Sequence, residues 1–422
     1  MKKISIIGLG YVGLPLAVAF QKYYKIVGFD TSNKRISELR SGIENNDQFT
    51  KKKIKSCKNL IFSNNNKDIE NSDIFIVTVP TPIYKNKIPN LSHLKKACEM
   101  IGKKLKKNSI IIFESTVFPG CTENFCSPIL ERFSNKKMNK DFFIAYSPER
   151  INVGDKKHSL KNIKKIVGAS KSRILNIVVK LYSKIIRAGV YKCENIKIAE
   201  AAKAIENAQR DINIAFINEI GNIFNKINVN LTSVLKAADT KWNFLKFKPG
   251  LVGGHCIGVD PYYLTFLAKK IGFKPKLINA GRETNDRMSF DLSNIFLKKV
   301  KENFPKLSRF NILILGLSFK EDTNDIRNSK IFDLCNHLNK KGHNISVFDP
   351  LINFSIKSEN FKFYNKINFR KKFHGIFYAV PHKKIKFSIK KIIHYRKKNT
   401  VMFDLKDALD NFRYKDLKIV KL

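Results

Sequence analysis

A single cysteine lies among glycines in the segment GLVGGHCIGVDPYY, residues 250–263, with His255 beside it and Asp260 four residues later. Glycine has no Cβ, so such a loop lets a substrate approach the backbone closely. A thiol there would act as a nucleophile once its surroundings favour the thiolate, because a free cysteine titrates near pH 8.5. The alternative is that Cys256 is a small hydrophobic residue packed in a tight turn. The segment alone leaves both interpretations open.

A second group of polar residues lies on one predicted helix. The pattern from Ile196 to about Ile227 predicts an unusually long helix with a small alanine face, which is typical of a spine between domains or subunits. Lys203, Asn207 and Arg210 fall on one face of this helix, at i, i+4 and i+7. They are either functional groups that point at one site or a solvated polar stripe.

The beginning of the chain predicts a dinucleotide-binding turn. Lys3 to Ile7 has the pattern of a buried strand, GLGYVG follows at residues 8–13, and Leu14 to Tyr23 has helical spacing. In such a unit the first glycine makes the turn, the second admits the pyrophosphate and the third lets helix and strand pack closely. The predicted residues of this turn are Gly8, Gly10, Tyr11, Val12 and Gly13.

An acid ends the next predicted strand. Asp30 closes the strand Lys25 to Asp30, where a carboxylate binds both hydroxyls of the adenosine ribose and repels a 2′-phosphate. NAD is therefore favoured over NADP, although the nearby Arg35 keeps NADP as an alternative. The basic and apolar N-terminus, which superficially resembles a secretory signal, is better explained by this strand and glycine turn.

Three further strands are predicted at Ile74 to Val79, Ser109 to Phe113 and Phe142 to Tyr146. Ligands of an open α/β sheet bind outside the carboxyl ends of its strands. The loops that follow these strands should therefore face one crevice. Their candidate site residues are Thr81, Thr116, Glu149 and Arg150, with a helix cap or a salt bridge as the alternative for Glu149.

A second α/β unit is predicted to begin at Phe310, where FNILILGLSFK and HNISVFDP are each a strand followed by a loop. Pro305 marks a plausible linker before it. The predicted fold class is α/β, with two Rossmann-like doubly wound domains joined by a long central helix and a helical dimerisation region. The predicted domains are residues 1–195 for NAD, 196–303 as a central helical domain with the cysteine loop, and 304–422 as a second Rossmann-like domain.

The composition is that of a globular protein, with 43% hydrophobic and 27% charged residues in 422, but the net charge is +45. Such a charge raises nucleic acid or an anionic membrane as a partner. The lysines are spread along the chain without a basic arm, so an A/T-rich coding bias is the favoured explanation, with neither partner expected. A protein that merely kept this fold and binds nucleic acid is one alternative function.

The seven cysteines are odd in number and include no CxxC pair, and the eight histidines form no cluster at metal-ligand spacing. No run later than the N-terminal segment approaches the roughly 20 apolar residues that a membrane span needs. We therefore expect a reducing, cytoplasmic location and no metal site.

Seven motifs in order resemble the UDP-glucose/GDP-mannose dehydrogenase family over essentially the whole chain. They are GLGYVG, VPTP, ESTVFPG, YSPER, AAKAIENAQRD, GLVGGHCIGVDPYYL and GLSFKEDTNDIRNS. YSPERINVGD and the cysteine motif look like the branch that acts on UDP-N-acetylhexosamines. The resemblance implies a double oxidation of the C6 hydroxyl of a UDP-sugar to a carboxylate, with two NAD⁺ and one water, for capsule, O-antigen or similar polysaccharide. The long central helix predicts a homodimer.

The resemblance also implies roles for individual residues. Cys256 would form a thiohemiacetal and then a thioester, Lys203 and Asn207 would stabilise the oxyanions, and Asp260 would position water or accept protons. Glu149 would be the base or acid for hydrolysis, with Thr116 orienting water, and Arg327 would reach the cofactor. Substrate binding would involve Arg150, Ile151, Lys203, Asn207, Arg210, Phe244, Leu245, Gly250, Gly254 and Lys320.

The resemblance leaves the sugar open. UDP-glucose oxidisers usually carry a lysine immediately before the loop aspartate, whereas this chain has Val259. UDP-N-acetyl-D-glucosamine or UDP-N-acetyl-D-galactosamine is therefore favoured, with UDP-glucose and UDP-N-acetyl-D-mannosamine as alternatives. An inactive scaffold is disfavoured because every residue expected to carry the chemistry is present.

Overall fold

A computed structural model describes residues 2–44, 49–151, 159–353, 360–409, 414 and 417–422. The predicted motif residues Asn152 to Asp155 lie outside the described residues. The chain forms two compact units, one made of residues 1–206 and 262–274 and the other of residues 207–261 and 275–422. The predicted division into three domains stays a prediction beside this two-unit arrangement.

The first unit is built on one sheet whose strand order is β3-β2-β1-β4-β5-β6-β7-β8. Its pairs are parallel except β6 with β7. The switch in strand order lies between β1 and β4, which is where a doubly wound sheet binds its ligand. The strands are β1 Lys3–Ile7, β2 Lys25–Phe29, β3 Leu60–Ser63, β4 Ile74–Val77, β5 Ser109–Phe113, β6 Phe142–Tyr146, β7 Lys165–Ala169 and β8 Val190–Lys192.

Helices cover this sheet and leave its central strands buried. β4, β5 and β6 are buried at every position, so they read as continuous apolar runs instead of alternating patterns. Besides a 3₁₀ turn at Asn66–Ile69 and a π-helical turn at Thr122–Cys126, the helices are α1 Gly13–Phe20, α2 Asn33–Arg40, α3 Lys51–Lys55, α4 Ser92–Gly102, α5 Ser127–Ser134 and α6 Ser172–Ser183.

The predicted strand bounds are confirmed for β1, β5 and β6, whereas β4 ends at Val77 and not at Val79. Thr78 explains the difference, because its Oγ1 donates to Ile7 O at 3.0 Å and to Gly8 O at 2.7 Å and so ties the chain to the glycine turn. Pro80 follows and has no backbone N–H for a ladder. The first helix is also shorter than predicted, since it ends at Phe20.

The second unit repeats this plan with a sheet of order β11-β10-β9-β12-β13-β14, whose pairs are all parallel among the described residues. The predicted fold class, α/β with two doubly wound halves, is confirmed. The strands are β9 Asn311–Leu315, β10 Asn344–Phe348, β11 Phe361–Tyr364, β12 Phe373–Tyr378, β13 Arg396–Asp404 and β14 Leu417–Val420.

The helices of the second half pack a large apolar core on its sheet. Met288, Leu292, Phe296 and Val300 form one face of a 28-residue helix and are fully buried. Phe296 packs edge-on against Phe377 of β12. The remaining helices are α7 Ile196–Lys226, α8 Leu231–Ala238, α9 Asp260–Lys270, α10 Lys276–Asn303, α11 Ile331–Lys340 and α12 Lys383–Ile393.

Two helices carry residues of both units. α7, predicted from Ile196 to about Ile227 and observed to Lys226, belongs to the first unit up to Glu206 and to the second from Asn207. α9 belongs to the first unit from Tyr262. Within the described residues, every helix is too short or too polar to span a bilayer.

Candidate active site

The glycine turn after β1 has the shape that a pyrophosphate needs. Gly8 has a φ of +98°, a conformation that L side chains rarely adopt. A Cβ on Gly13 would lie 1.9 Å from Gly8 O, so only glycine permits this contact between turn and helix. Gly10 faces open space, because a Cβ there would meet none of the described atoms within 4 Å. Tyr11 and Val12 are half-buried and lead into α1.

Asp30 lies directly after β2 at the same edge. Its Oδ2 accepts from Leu9 N at 2.9 Å and its Oδ1 accepts from Ser32 N at 2.9 Å, which fixes the carboxylate beside the turn. Arg35 donates to Leu9 O at 3.1 Å and forms an ion pair with Glu44 at 3.0 Å. The Arg35 charge is thus already matched, which weakens the alternative of a 2′-phosphate. The turn and this acid fit NAD.

Two threonines predicted for the site lie on neighbouring loops of this unit. Thr81 Oγ1 donates to Thr116 O at 2.8 Å, which joins the loops after β4 and β5. Tyr263, on the part of α9 that belongs to the same unit, donates to Thr81 O at 2.7 Å. Both threonines remain half-buried. The loops after β4 and β5 are therefore in contact, as predicted.

Glu149 follows β6 and is held through one oxygen. Its Oε1 accepts from Arg150 N at 2.7 Å and from Ile151 N, so the loop backbone orients the carboxylate. The Arg150 guanidinium pairs with Glu206 at 2.8 Å and donates to Lys164 O at 2.8 Å. Arg150, predicted to bind substrate, thus has carboxylate and carbonyl partners within its own unit.

A buried cluster beside Glu149, formed by Glu114, Lys165 and Tyr182, was not predicted from the sequence. Lys165 lies 2.5 Å from Glu114 Oε2 and 3.8 Å from Glu149 Oε2, and Tyr182 donates to Glu114 Oε1. Burial raises the pKa of Glu114 to about 7, with Lys165 opposing the shift and Glu149 adding to it. Glu114 stands in ESTVFPG, but its partner is 51 residues away, so spacing offers no signal for the pair.

Asn207 and Asp260 form a buried pair in the second unit. Asn207 Nδ2 donates to Asp260 Oδ2 at 2.5 Å, and the two residues are 8% and 1% exposed. Lys203, one turn earlier on α7, is also buried at 8%. Arg210, predicted on the same face, is exposed. The polar-stripe alternative fails for Lys203 and Asn207, because neither side chain is solvated.

Cys256 is the exposed cysteine of the chain, whereas the other six are buried. It lies in the turn that precedes α9, where its carbonyl accepts from Asp260 N at 2.8 Å and from Val259 N at 3.0 Å. The alternative of a packed hydrophobic cysteine is thereby excluded. His255 stacks edge-on on Phe319, and its Nδ1 lies 3.9 Å from Asp325.

Gly250 and Gly254 shape the second unit close to lysines. Asn218 holds Gly250 by accepting from its N–H and donating to its carbonyl, and a Cβ on Gly250 would lie 2.4 Å from Lys406 Nζ. Gly254 has a φ of +81°, and its Cβ would meet the Phe319 ring at 2.7 Å. Gly254 therefore requires glycine, whereas a side chain at Gly250 would have to displace the end of the flexible Lys406 side chain.

A cavity of about 330 Å³ opens beside these glycines and is lined by Phe319 and three lysines, Lys320, Lys330 and Lys406. Burial lowers the pKa of Lys406, with Lys248 adding to the effect and Glu321 opposing it. Lysines at a cavity wall suit a diphosphate, whose oxygens accept charge-assisted hydrogen bonds. Lys320 was predicted here, whereas Lys330 and Lys406 were not.

The second unit also contains Phe244, Leu245 and Arg327, which were predicted to contact substrate or cofactor. They lie outside the lining of this cavity. Phe244 lines a second cavity of about 280 Å³ that Lys406 also borders, and Leu245 is 60% exposed. The Arg327 guanidinium binds Asp325, at 2.6 Å for the shortest contact. Burial alone would raise the pKa of Asp325, but the hydrogen bonds from Arg327 outweigh it and lower it.

An enzyme that combines a dinucleotide turn with a cysteine loop and a lysine-lined cavity belongs to the class of nucleotide-dependent dehydrogenases. The chain belongs to the UDP-glucose/GDP-mannose dehydrogenase family. The NAD binding domain of that family matches residues 2–186, its central domain residues 197–287 and its UDP binding domain residues 313–411. The protein is thus an NAD-dependent oxidoreductase that acts on a UDP-sugar.

Individual relatives span nearly the same length. The chain is 50% identical to a UDP-N-acetyl-D-glucosamine 6-dehydrogenase of Salmonella typhi, over 83% of this chain and 82% of the relative. It is 46% identical to one of Pseudomonas aeruginosa over 97% of both. Its fold is similar to a UDP-D-ManNAc dehydrogenase structure from Pyrococcus horikoshii, with a TM-score of 0.86, 26% identity and 99% of both chains covered.

Proposed function

We propose that this enzyme oxidises the C6 hydroxyl of UDP-N-acetyl-D-glucosamine to a carboxylate, with two NAD⁺ and one water per sugar. The observation that carries the choice of sugar is the 46% identity over 97% of the chain to a relative of that name. The exposed Cys256 next to the buried Asn207–Asp260 pair supports the chemistry. UDP-N-acetyl-D-galactosamine is the alternative with the same ring size and acetamide.

The first oxidation turns the alcohol into an aldehyde. NAD⁺, when bound, accepts a hydride from C6 in each of the two oxidations. Lys203 and Asn207 act as donors to the developing alkoxide, and their burial raises the strength of such hydrogen bonds. A preorganised donor of this kind is typically worth about 3 kcal/mol of barrier. Asp260, hydrogen-bonded to Asn207, holds the amide in place and accepts protons.

The second oxidation requires Cys256. Its thiolate adds to the aldehyde carbon, and the resulting S–C bond gives a thiohemiacetal whose oxygen is again stabilised by Lys203 and Asn207. Loss of the remaining C6 hydride from the thiohemiacetal leaves a thioester. The exposure of Cys256 and the two glycines before it leave room for the sugar.

Hydrolysis completes the reaction. Glu149 takes a proton from a water that Thr116 orients, the water oxygen adds to the thioester carbon, and the S–C bond breaks to return the thiolate. The products are the uronate and free Cys256, so the enzyme is ready for another sugar. Two backbone N–H groups that bind one oxygen of Glu149 leave its other oxygen for this step.

The nucleotide part of the substrate is held in the second unit. Lys320 binds the diphosphate, and the lysine-lined cavity supports this assignment. Further substrate contacts are proposed for Arg150, Ile151, Arg210, Phe244, Leu245, Gly250 and Gly254. Cofactor contacts are proposed for Gly8, Gly10, Tyr11, Val12, Gly13, Asp30, Arg35, Thr81, Thr116 and Arg327.

UDP-N-acetyl-D-mannosamine is a second candidate substrate, which the structural similarity to the Pyrococcus horikoshii enzyme of that name supports. Identity there is 26%, well below the 50% and 46% of the UDP-N-acetyl-D-glucosamine enzymes, so it ranks second. Val259, in place of the lysine that UDP-glucose oxidisers usually carry, disfavours UDP-glucose.

We further propose a homodimer through α7. Ile198, Ile205, Phe216 and Ile223 are between 40% and 62% exposed. At 100° per residue they fall within about 40° of one another, on the side of α7 opposite Lys203 and Asn207. One face of the helix thus serves the site, and the other is an apolar stripe that a second copy would cover. A cytoplasmic location and a product destined for capsule or O-antigen complete the proposal.

The test is an assay of purified protein with NAD⁺ and, separately, UDP-GlcNAc, UDP-GalNAc, UDP-ManNAc and UDP-glucose, counting NADH per sugar consumed. We expect UDP-GlcNAc to be preferred and to yield about two NADH, because a thioester route oxidises C6 twice. Cys256→Ser should reduce turnover by about 10³-fold or more, since the nucleophile is lost.

Cys57→Ser is the matched control for the loss of a thiol. Cys57 is 7% exposed and donates to Lys53 O at 3.3 Å, a bond that a serine hydroxyl can also make. It should keep full activity. Preference for another UDP-sugar would overturn the choice of substrate, and full activity of Cys256→Ser would overturn the thioester route.

A further inference from the structure

Lys165 is a buried cation shared by two carboxylates. Its Nζ lies 2.5 Å from Glu114 Oε2, 3.8 Å from Glu149 Oε2 and 3.2 Å from Pro148 O. Its side chain is 4% exposed, and Glu114 is fully buried. Tyr182, itself buried, donates to the other Glu114 oxygen and places its ring 5.0 Å from the ammonium group. Glu114 and Tyr182 therefore fix the ammonium position without help from solvent.

The two oxygens of Glu149 have different surroundings. Oε1 accepts from the N–H groups of Arg150 and Ile151. Oε2 is buried and makes no hydrogen bond within the described residues, and Lys165 at 3.8 Å is its charged neighbour. That distance is too long for a hydrogen bond but short enough for strong attraction in a poorly solvated site. Oε2 is thus oriented by charge and has no protein hydrogen-bond partner among the described residues.

We propose that Lys165, anchored by Glu114 and Tyr182, is the positioning residue that holds Glu149 with its Oε2 available for thioester hydrolysis. This inference rests on the proposed function, in which Glu149 is the hydrolytic base. Lys165 touches neither substrate nor cofactor in this scheme, and it acts through Glu149. Glu114 is needed because it draws the ammonium group away from Glu149 and so prevents a direct ion pair that would occupy Oε2.

The charges of the cluster explain why a second carboxylate is present. One ammonium facing Glu149 alone would close to hydrogen-bond distance and compete with water for Oε2. With Glu114 present, the shorter contact goes to Glu114 and the longer one to Glu149. Burial raises the pKa of Glu114 to about 7, so its anionic form depends on Lys165. Removal of Lys165 alone leaves Glu114 buried without its cation, and removal of Glu114 alone lets Lys165 close on Glu149.

The decisive variant therefore removes both charges. Glu114→Gln/Lys165→Met keeps a hydrogen-bonding group for Tyr182. The charge that remains is that of Glu149, which is half-buried and bound by two backbone N–H groups, so the variant should fold. We expect kcat to fall by about 10²-fold while KM for UDP-GlcNAc and NAD⁺ stays within about threefold, since a misplaced catalytic group costs rate and not binding. Lys104→Met is the matched control, because Lys104 pairs with Glu70 in the same unit at the partly exposed surface.

Rapid mixing locates the slowed step. The double variant should release a burst of about two NADH per active site and then turn over slowly, and intact mass should show the uronyl adduct on Cys256. Turnover of the double variant within about threefold of the wild type would overturn the inference. So would slow turnover without burst or adduct, which would mark the cluster as structural. Absence of NADH from wild-type enzyme with any UDP-sugar would overturn the proposed function and the inference together.

Discussion

Lys406 lines both cavities of the second unit, and its ammonium group lies next to the backbone of Gly250. Burial lowers its pKa, and Glu321 opposes the shift. A half-buried lysine at a cavity wall loses part of its hydration, which an anionic ligand can replace. The diphosphate of a UDP-sugar is such a ligand, so Lys406 should contribute to binding and not to the chemical steps.

Lys406→Met should raise KM for the UDP-sugar by about 10-fold to 10²-fold and leave kcat nearly unchanged, because a charge-assisted hydrogen bond is lost equally from ground and transition states. Titration calorimetry with UDP alone should show the same loss of affinity. Lys298→Met is the control, since Lys298 is exposed on α10 and lines neither cavity. An unchanged UDP affinity in Lys406→Met would contradict the assignment.

Glu200 is a fully buried carboxyl at the start of α7. Its oxygens accept from Gly120 N at 2.5 Å and from Thr122 N at 2.9 Å, so it caps the π-helical turn after the loop that carries Thr116. Burial raises its pKa from 4.5 to about 7, against the opposing hydrogen bonds. The protonated form is therefore favoured more in the folded protein than in the unfolded chain.

The contribution of Glu200 to stability should be complete below pH 4.5 and should be lost as the pH rises toward about 7. Relative to Glu200→Gln, the free energy of unfolding of the wild type should fall by up to about 3 kcal/mol across this window. It should fall no further at higher pH. Urea unfolding of both proteins at about pH 5, 7 and 8 measures the difference. A wild-type stability that rises relative to Glu200→Gln between about pH 5 and 7 would contradict the raised pKa.

The residues with chemistry were predictable where a motif carries them, and their partners were not. Gly8, Gly13 and Asp30 follow from the strand, turn and acid order, because each has a local backbone reason to be there. Lys165 and Glu114 are 51 residues apart and meet only because β5 and β6 are neighbours and β7 folds back antiparallel on β6. A lysine among 80 basic residues has no local signal that marks it as buried.

At the scale of elements, the six-stranded sheet repeats the order of the first six strands of the eight-stranded sheet, and both sheets have an aspartate after their second strand. Asp349 follows β10 as Asp30 follows β2, and each accepts from the backbone N–H of the leucine in the facing turn. The two aspartates differ in how deeply they are buried. Asp349 is fully buried and bonded to His382 Nε2 at 3.1 Å, whereas Asp30 remains half-buried at an open edge. In the second unit the corresponding carboxylate is therefore already hydrogen-bonded within the protein and is not available to a ribose.

Asp30→Ala should thus affect NAD binding, whereas Asp349→Asn should affect stability. Asp30→Ala should weaken NAD binding by about 10-fold or more, since hydrogen bonds from the ribose to a carboxylate are lost. Asp349→Asn should leave NAD affinity unchanged and lower the melting temperature, because His382 and two backbone N–H groups lose their charged acceptor. Fluorescence titration with NADH and thermal melts separate the two. Weakened NADH binding by folded Asp349→Asn would contradict this division.

Strands and the long helix were predicted more accurately than the way in which they assemble. β1, β5 and β6 have local apolar runs bounded by loop residues, so their limits follow from sequence. The antiparallel pairing of β7 with β6 does not, because it depends on which neighbour remains free in the sheet. The same holds for the two units, since residues 262–274 join the first unit after the chain has already entered the second.

At the scale of the whole molecule, the net charge of +45 and the apolar stripe on α7 act in opposite directions on a dimer. Two copies repel each other at long range, whereas burial of Ile205, Phe216 and their neighbours attracts them at contact. The Debye length falls from about 10 Å at 0.1 M salt to about 3 Å at 1 M, so salt removes the repulsion and spares the apolar contact.

The proposed dimer should therefore tighten as salt rises, which is opposite to nucleic-acid binding, where salt weakens affinity. Sedimentation equilibrium across about 0.05 to 0.5 M salt measures the trend. Ile205→Glu/Phe216→Glu should give a folded monomer, while Ile61→Glu, equally exposed at 61% but on the edge strand β3, should not. A dimer that survives both glutamates would place its interface elsewhere. Dissociation by salt would instead show that charges, not the stripe, hold the copies together.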